Sequence, residues 1–482
     1  MAAARDAHGR ARIARHRPRS GRNPALRIRL ALVTACLSLA ATALPAQAAD
    51  ATDAHVEGEL SSGALYVMDV PASWNGTVLL YSHGYAPAGS PKQAQNTPST
   101  AARDKLLAEG YALIGSSYAT NGWAITEAVP DQLATLDLFT EKFGSARRTL
   151  AWGTSYGGFV TTMLAERHAD RFDGSLSMCG LVQGGVANWN STLDPVFALR
   201  TLLAPDSGIR LAGFADQAEA VAAAKSLTTK VDAAQQTPVG RARIGLAAAL
   251  HNIPGYNDAS QTKPGPTDWG TQQSNQFAAV RGLIQRPAFS WRQEAESRAG
   301  GNPSWNTGVD YGTMLARSPL YKEVRELYKE AGLSLRTDLS ALGRAPRISA
   351  DPSAVGWMRN TSVPSGRLTD PQLNIHTTGD ALIPVQAESA YRRAATAGGS
   401  TGLLRQAYVD GPGHCTFTAG ETLGALDALE DRLDTGHWDV SPGALNSRAQ
   451  QEDPTAGARY VPYQPADYPR PYDLAHPGDA RP

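Results

Sequence analysis

Three stretches of this chain hold residue types that could together break a carboxylic acyl bond. Gly153-Thr154-Ser155-Tyr156-Gly157-Gly158 fits the pattern G-x-S-x-G, the nucleophile elbow, in which a serine rides a strained strand-to-helix turn that lifts its Oγ clear of a sheet. A serine hydroxyl is a poor nucleophile at its own pKa, so a base must take its proton and a third group must hold that base in one tautomer. His414, in the glycine-rich run Asp410-Gly411-Pro412-Gly413-His414-Cys415, is the candidate base. Asp380, in Gly379-Asp380-Ala381-Leu382-Ile383-Pro384, is the candidate orienting acid. Asp370 or Asp410 could substitute for it, but the first precedes the strand that Asp380 follows and the second shares the loop of the histidine. His251 is a weaker rival base, and His168, His376 and His437 read as surface or core residues.

Acyl transfer also needs N–H donors aimed at the oxyanion that develops. The backbone N–H of Tyr156, next after the nucleophile, is one candidate; Tyr85, in His83-Gly84-Tyr85, is the other, with Gly84 letting the backbone turn back toward the site. His83 is expected to brace that loop. A decoy is present, since Gly398-Gly399-Ser400-Thr401-Gly402 fits the same serine pattern. Ser155 follows a strand and opens an apolar helix, whereas Ser400 follows a helix and leads into a strand, so Ser400 reads as a structural turn serine.

The elements that must position these groups are legible as changes of period. Short apolar runs at residues 55–60, 64–70 and 76–82 read as strands, and Thr77-Val78-Leu79-Leu80-Tyr81 as a strand buried on both faces. Helical and strand patterns then alternate: helix 101–109, strand 111–117, helix 129–143, strand 148–152, helix 158–169 and strand 174–178. Such alternation implies crossover units and a mostly parallel sheet covered on both faces, with the first two strands as an antiparallel edge. The pattern stops at Gly184-Gly185 and resumes with strand 373–378, helix 385–397, strand 403–409 and helix 418–433. The insertion between, about residues 186–371, carries helical stretches at 217–226, 241–250 and 321–331 and five tryptophans, Trp189, Trp269, Trp291, Trp305 and Trp357. From about Gly436 the chain is rich in proline and tyrosine without periodicity; this extended tail, 436–482, either wraps the body or stays mobile.

Composition narrows the function classes. The 482 residues carry 45 Lys plus Arg against 45 Asp plus Glu, so no charge excess favours nucleic acid. Arginines crowd the first thirty residues ahead of the apolar run 30–44, and Ala46-Gln47-Ala48 supplies small residues at a cleavage site, so residues 1–48 read as a secretory leader and the mature chain as a secreted protein with no membrane span. Two cysteines remain, Cys179 and Cys415. In an oxidising compartment they are expected to pair and hold the histidine loop; the alternative is two separate buried thiols. No His/Asp/Glu/Cys cluster has metal-ligand spacing and no phosphate loop follows a first strand, so neither metal nor cofactor is expected.

The order His83-Gly84, Ser155 elbow, Gly379-Asp380, Gly413-His414 resembles the α/β-hydrolase superfamily over residues 55–185 and 370–435. The local Trp152-Gly153-Thr154-Ser155-Tyr156-Gly157-Gly158 is similar to the elbow of prolyl oligopeptidase-type peptidases and related secreted esterases. That resemblance implies an α/β-hydrolase fold: a mostly parallel central sheet, core segments 49–185 and 372–435, and a largely helical cap at 186–371. It also implies a serine hydrolase acting on a small-molecule ester, or alternatively on a short peptide or amide, with the same triad.

Overall fold

In β3 every residue of Thr77–Ser82 is buried, because helices cover both faces of the sheet around it, and this explains its unbroken apolar run. The structure is a computed structural model and describes residues 53–470, so the leader expected at 1–48 lies outside it. Among the described residues one sheet of nine strands forms: β1 (Ala54–Glu59), β2 (Leu65–Val70), β3 (Thr77–Ser82), β4 (Ala112–Ser116), β5 (Arg148–Thr154), β6 (Gly174–Met178), β7 (Gln372–Gly379), β8 (Leu404–Pro412) and β9 (Tyr460–Val461). Their order is β1-β2-β4-β3-β5-β6-β7-β8-β9. From β4 to β8 the neighbours are parallel; β1 and β2 make the expected antiparallel edge. The chain leaves β3 to one side for β4 and returns to its other side for β5. That reversal opens a crevice beyond the C-terminal ends of β3 and β5, where ligands meet open α/β sheets.

Helices α1 (Thr100–Ala108), α2 (Ile125–Phe143) and α3 (Tyr156–Arg167) link the first strands. The long segment between β6 and β7 forms α4 (Gly185–Leu203), α5 (Gln217–Gln235), α6 (Pro238–Leu250), α7 (Trp269–Gln285), α8 (Arg292–Ala299), α9 (Tyr311–Arg317), α10 (Tyr321–Glu330), α11 (Leu335–Arg344) and α12 (Pro352–Ser362). It has a core of its own, in which Val196, Phe197, Leu246, Ile253, Val280 and Leu327 are buried together. The remaining helices are α13 (Ala387–Ala397), α14 (Ala419–Thr435) and α15 (Pro442–Glu452). Phe159, Val160 and Met163 of α3 pack on one face of the sheet with Val78 and Leu80. Leu106 of α1, Leu426 of α14 and Leu445 of α15 pack on the other with Leu79 and Leu150.

Two stretches depart from the sequence reading. The strand–helix alternation stops at Gly184-Gly185 as expected, but a helix that the sequence reading did not mark, α4 with 19 residues, starts there and is buried almost all round. A helix without a solvent face shows no 3.6-residue stripe, and Asn188, Asn190, Ser191, Thr192, Asp194 and Pro195 are poor helix formers. Their polar groups are satisfied inside the protein. Asn190 accepts from the N–H of Trp305 at 2.9 Å, Thr192 from Arg292 at 2.7 Å, and Asp194 from the Tyr311 hydroxyl at 2.8 Å.

The segment after Gly436, read as an extended tail, instead contains α15 and β9, which pairs antiparallel with β8. Only Leu445 and Ala449 of α15 are buried, too few to mark a helical period. Beyond β9 the chain is an extended strap docked on α4. Tyr468 hydrogen bonds Ser191 at 2.7 Å, and Arg470 reaches the Asp194 carboxylate at 3.2 Å and the Trp305 carbonyl at 2.7 Å. Asp194 is fully buried, so removing Arg470 takes away the ion-pair partner of a buried carboxylate. Arg470→Ala is expected to lower unfolding stability by about 3 kcal/mol, read from the urea midpoint; an unchanged midpoint would show that the strap contributes no stability.

Candidate active site

Strand β5 passes directly into α3 with only Ser155 between them, and the turn is tight enough to force Ser155 to φ 59°. A non-glycine residue there costs about 1–3 kcal/mol, strain characteristic of functional turns. The flanking glycines are required sterically: a Cβ at Gly157 would lie 1.8 Å from the Ser82 carbonyl oxygen, and one at Gly153 would lie 2.4 Å from that of Gly157. Gly84 differs from the sequence reading. A Cβ there would meet Ser155 Cβ at an ordinary 3.6 Å, and its φ is not left-handed, so the turn does not demand glycine.

His414 Nε2 lies 2.7 Å from Ser155 Oγ, and Nδ1 lies 2.6 Å from Asp380 Oδ2. With Nδ1–H donated to the carboxylate, the Nε2 lone pair faces the serine hydroxyl, which donates to it. Asp380 is wholly buried. Its Oδ1 accepts the backbone N–H groups of Leu382 and Ile383, both at 2.9 Å. Burial alone would favour the protonated acid, but the charge and hydrogen bonds of His414 and His376 outweigh it and hold the carboxyl well below its ordinary value. The alternatives lie elsewhere: Asp410 is exposed beside Lys263, and Asp370 accepts from the Thr369 hydroxyl. His251 bonds the Ser191 carbonyl; His168 is half-buried and His437 exposed. Ser400 is a turn serine bonded to the backbone of Leu368.

His376 is the residue that the sequence reading missed. It is wholly buried, with Nε2 at 3.3 Å from Asp380 Oδ2 and Nδ1 at 3.2 Å from Glu388 Oε1. A signal existed in Leu373-Asn374-Ile375-His376-Thr377. Two polar side chains at alternate positions of a strand buried on both faces must find polar partners.

A cavity of about 200 Å³ opens over Ser155 and His414, walled by Tyr85, Trp123, Tyr156, Leu181, Trp189, Trp291 and Ile383. Of the five insertion tryptophans, Trp189 and Trp291 are in this wall, while Trp305 is buried in the core. The N–H groups of Tyr85 and Tyr156 have no acceptor among the described residues. That of Tyr156 heads α3, where the first-turn donors are unused and the helix dipole is positive. A neighbouring cavity of about 250 Å³ shares His414, Pro287, Trp291 and Leu382 and adds Asn257 and Arg286. His83 stacks on Tyr118 with centroids 4.1 Å apart, and the Tyr118 hydroxyl donates to the His83 carbonyl, so it braces the loop as expected.

Cys179, at the end of β6, and Cys415, beside His414, form a disulfide. Cys179, Cys415 and His414 are also close enough to suggest a metal cluster, but both thiols are consumed in the bond.

The sequence profile of the prolyl oligopeptidase family matches residues 113–231, which include Ser155 and end before Asp380 and His414. An o-phthalyl amidase of Xanthobacter agilis is 29% identical over 433 residues, covering 84% of this chain and 93% of that protein. Among solved structures, feruloyl esterase B from Aspergillus oryzae aligns with a TM-score of 0.36 at 14% identity, over 80% of each chain. A Pyrococcus horikoshii acylaminoacyl peptidase aligns with a TM-score of 0.33 at 11% identity, over 76% of this chain and 38% of its own.

Proposed function

We propose that this serine hydrolase, whose residues 113–231 match the prolyl oligopeptidase family, is an α/β-hydrolase that cleaves carboxylic esters of aromatic or bulky apolar acids through an acyl-enzyme. Ser155 is the nucleophile, His414 the general base and Asp380 the group that orients the base. The observation that carries this reading is the continuous Ser155–His414–Asp380 hydrogen-bond chain beneath an aromatic cavity. Ser155 Oγ attacks the carbonyl carbon as its proton passes to His414 Nε2, and the oxyanion is held by the N–H groups of Tyr85 and Tyr156. Collapse expels the alcohol, which takes the proton from His414; water then repeats the sequence and frees the acid. The helices between β6 and β7 act as a cap that selects the acyl group, a role supported by the place of Trp189 and Trp291 in the cavity wall.

A second reading, amide hydrolysis by the same triad, is favoured by two observations. The curated relative is named an o-phthalyl amidase, and a phthalyl group carries a carboxylate ortho to its scissile carbonyl. Arg286, exposed and without a carboxylate partner among the described residues, lines the cavity next to His414. An aminopeptidase has less support: neither cavity is lined by a carboxylate that could hold a substrate amine. We place the enzyme outside the cell, with residues 1–48 as its leader; the Cys179–Cys415 disulfide supports this, since such bonds persist in oxidising compartments.

The test compares purified wild type with Ser155→Ala on p-nitrophenyl esters of graded acyl size, o-carboxybenzoyl anilides and aminoacyl anilides. Ester turnover that falls by about 10⁴-fold or more in Ser155→Ala is the expected result. Preference for the o-carboxybenzoyl anilides would establish the second reading, and preference for the aminoacyl anilides a peptidase. Activity retained by Ser155→Ala would end the triad assignment.

A further inference from the structure

Both ring nitrogens of His376 face oxygens, a backbone carbonyl and two carboxyl groups that can only accept when ionised. Nε2 lies 2.9 Å from the Ile383 carbonyl oxygen and 3.3 Å from Asp380 Oδ2, while Nδ1 lies 3.2 Å from Glu388 Oε1. A neutral imidazole would point a lone pair at one of these oxygens, whereas an imidazolium donates to all of them. The two carboxylates are otherwise satisfied by donors. Asp380 takes the Leu382 and Ile383 N–H groups and His414; Glu388 takes Asn374 Nδ2 at 2.9 Å and Gln406 Nε2 at 2.6 Å. Asp380, Glu388 and His376 are all buried, so two carboxylates would lack a counter-charge if the ring were neutral.

We propose that His376 is a permanent imidazolium that fixes Asp380 from behind and, by offsetting part of its charge, keeps His414 in its neutral, base-competent form to lower pH than Asp380 alone would allow. This rests on the roles given to Ser155, His414 and Asp380 above. His376 is a positioning residue and touches no substrate. Burial works against its charge, but hydrogen bonds to Asp380 and Glu388 overcome it and hold the ring up to about 10. The other titratable groups facing this cluster are shifted toward their neutral forms, and the charges behind them are Glu166, which accepts from the Tyr391 hydroxyl at 2.9 Å, and Arg392, near Tyr408. His251, within the field of Asp380, is pushed down by burial; the phenols of Tyr391 on α13 and Tyr408 on β8, near Glu388, are pushed up by burial.

The decisive experiment is the pH profile of kcat/KM in a charge cycle. His376→Gln removes a positive charge beside Asp380 and should move the acid limb up by about one pH unit. Glu388→Gln removes a negative charge and should move it down. The double variant, with both charges gone, should bring it back close to wild type. Limbs that stay in place in folded variants, or that move in the same direction in both single variants, would overturn the proposal, because structural damage alone gives no opposite signs. Should His376→Gln fail to fold, the nitrogen resonances of His376 in the wild-type enzyme decide. Both nitrogens protonated from about pH 5 to 9 is the expected result, and an unprotonated nitrogen in that range overturns it. Failure of the triad reading is seen separately, as activity that survives Ser155→Ala.

Discussion

Asp380→Asn should lower kcat by about 10⁴-fold while leaving KM nearly unchanged. The carboxamide fits the same space, and its oxygen can still accept the N–H groups of Leu382 and Ile383, so the loop should keep its shape. What changes is the other oxygen, now an amide nitrogen that donates toward His414 Nδ1 and no longer accepts from His376 Nε2, which keeps the Ile383 carbonyl as its acceptor. The ring must answer by accepting at Nδ1 and carrying its hydrogen on Nε2, where it meets Ser155 Oγ with no lone pair to take a proton. Asp380 does not line the cavity over Ser155, so ground-state binding has little reason to change. Asp410→Asn is the control, since Asp410 sits exposed beside Lys263 and should leave the rate as it is. A loss of less than about tenfold in Asp380→Asn would mean that another group orients the base.

Opening the Cys179–Cys415 bond should have the largest effect on stability. It closes a loop of 236 residues, for which the chain-entropy account gives about 5 kcal/mol. The bond also holds two backbone positions that dislike their own geometry: Cys179 has φ 46° and Cys415 φ 57°, left-handed conformations that ordinary side chains resist. With the tie gone, Cys415 can relax and carry His414 with it, so activity should fall before the sheet unfolds. Titration with denaturant, with and without a thiol reductant, and with Cys179→Ala/Cys415→Ala, measures this. Coincident unfolding curves for the oxidised and reduced enzyme would contradict it.

The sheet and the members of the candidate triad were legible because each is marked by local chemistry. Alternating apolar runs marked β1 to β8 within a residue or two at most ends, and Gly153 and Gly157 are glycines because nothing larger fits beside the Ser82 and Gly157 carbonyls. What could not be read was whatever depends on distant parts of the chain. The polar residues of α4 look like a loop until Trp305, Arg292, Tyr311 and Arg470 are seen to satisfy them. His376 looked like one more core histidine, because Glu388 is twelve residues away on α13 and only the fold sets the two ring nitrogens between two acids. In α15 two buried positions could not declare a helix.

The strap that ends at Arg470 bears on how the enzyme comes into being. Arg470 meets Asp194 across 276 positions of sequence, and α4, which holds Asp194, also supplies Asn188, Trp189 and Thr192 to the wall above Ser155. On the ribosome the nucleophile, its helix and that wall emerge long before the cation that neutralises Asp194. The α4 part of the pocket wall and the strap are joined through Asp194, and a chain cut short before Arg470 is therefore expected to leave that buried carboxylate without its ion-pair partner.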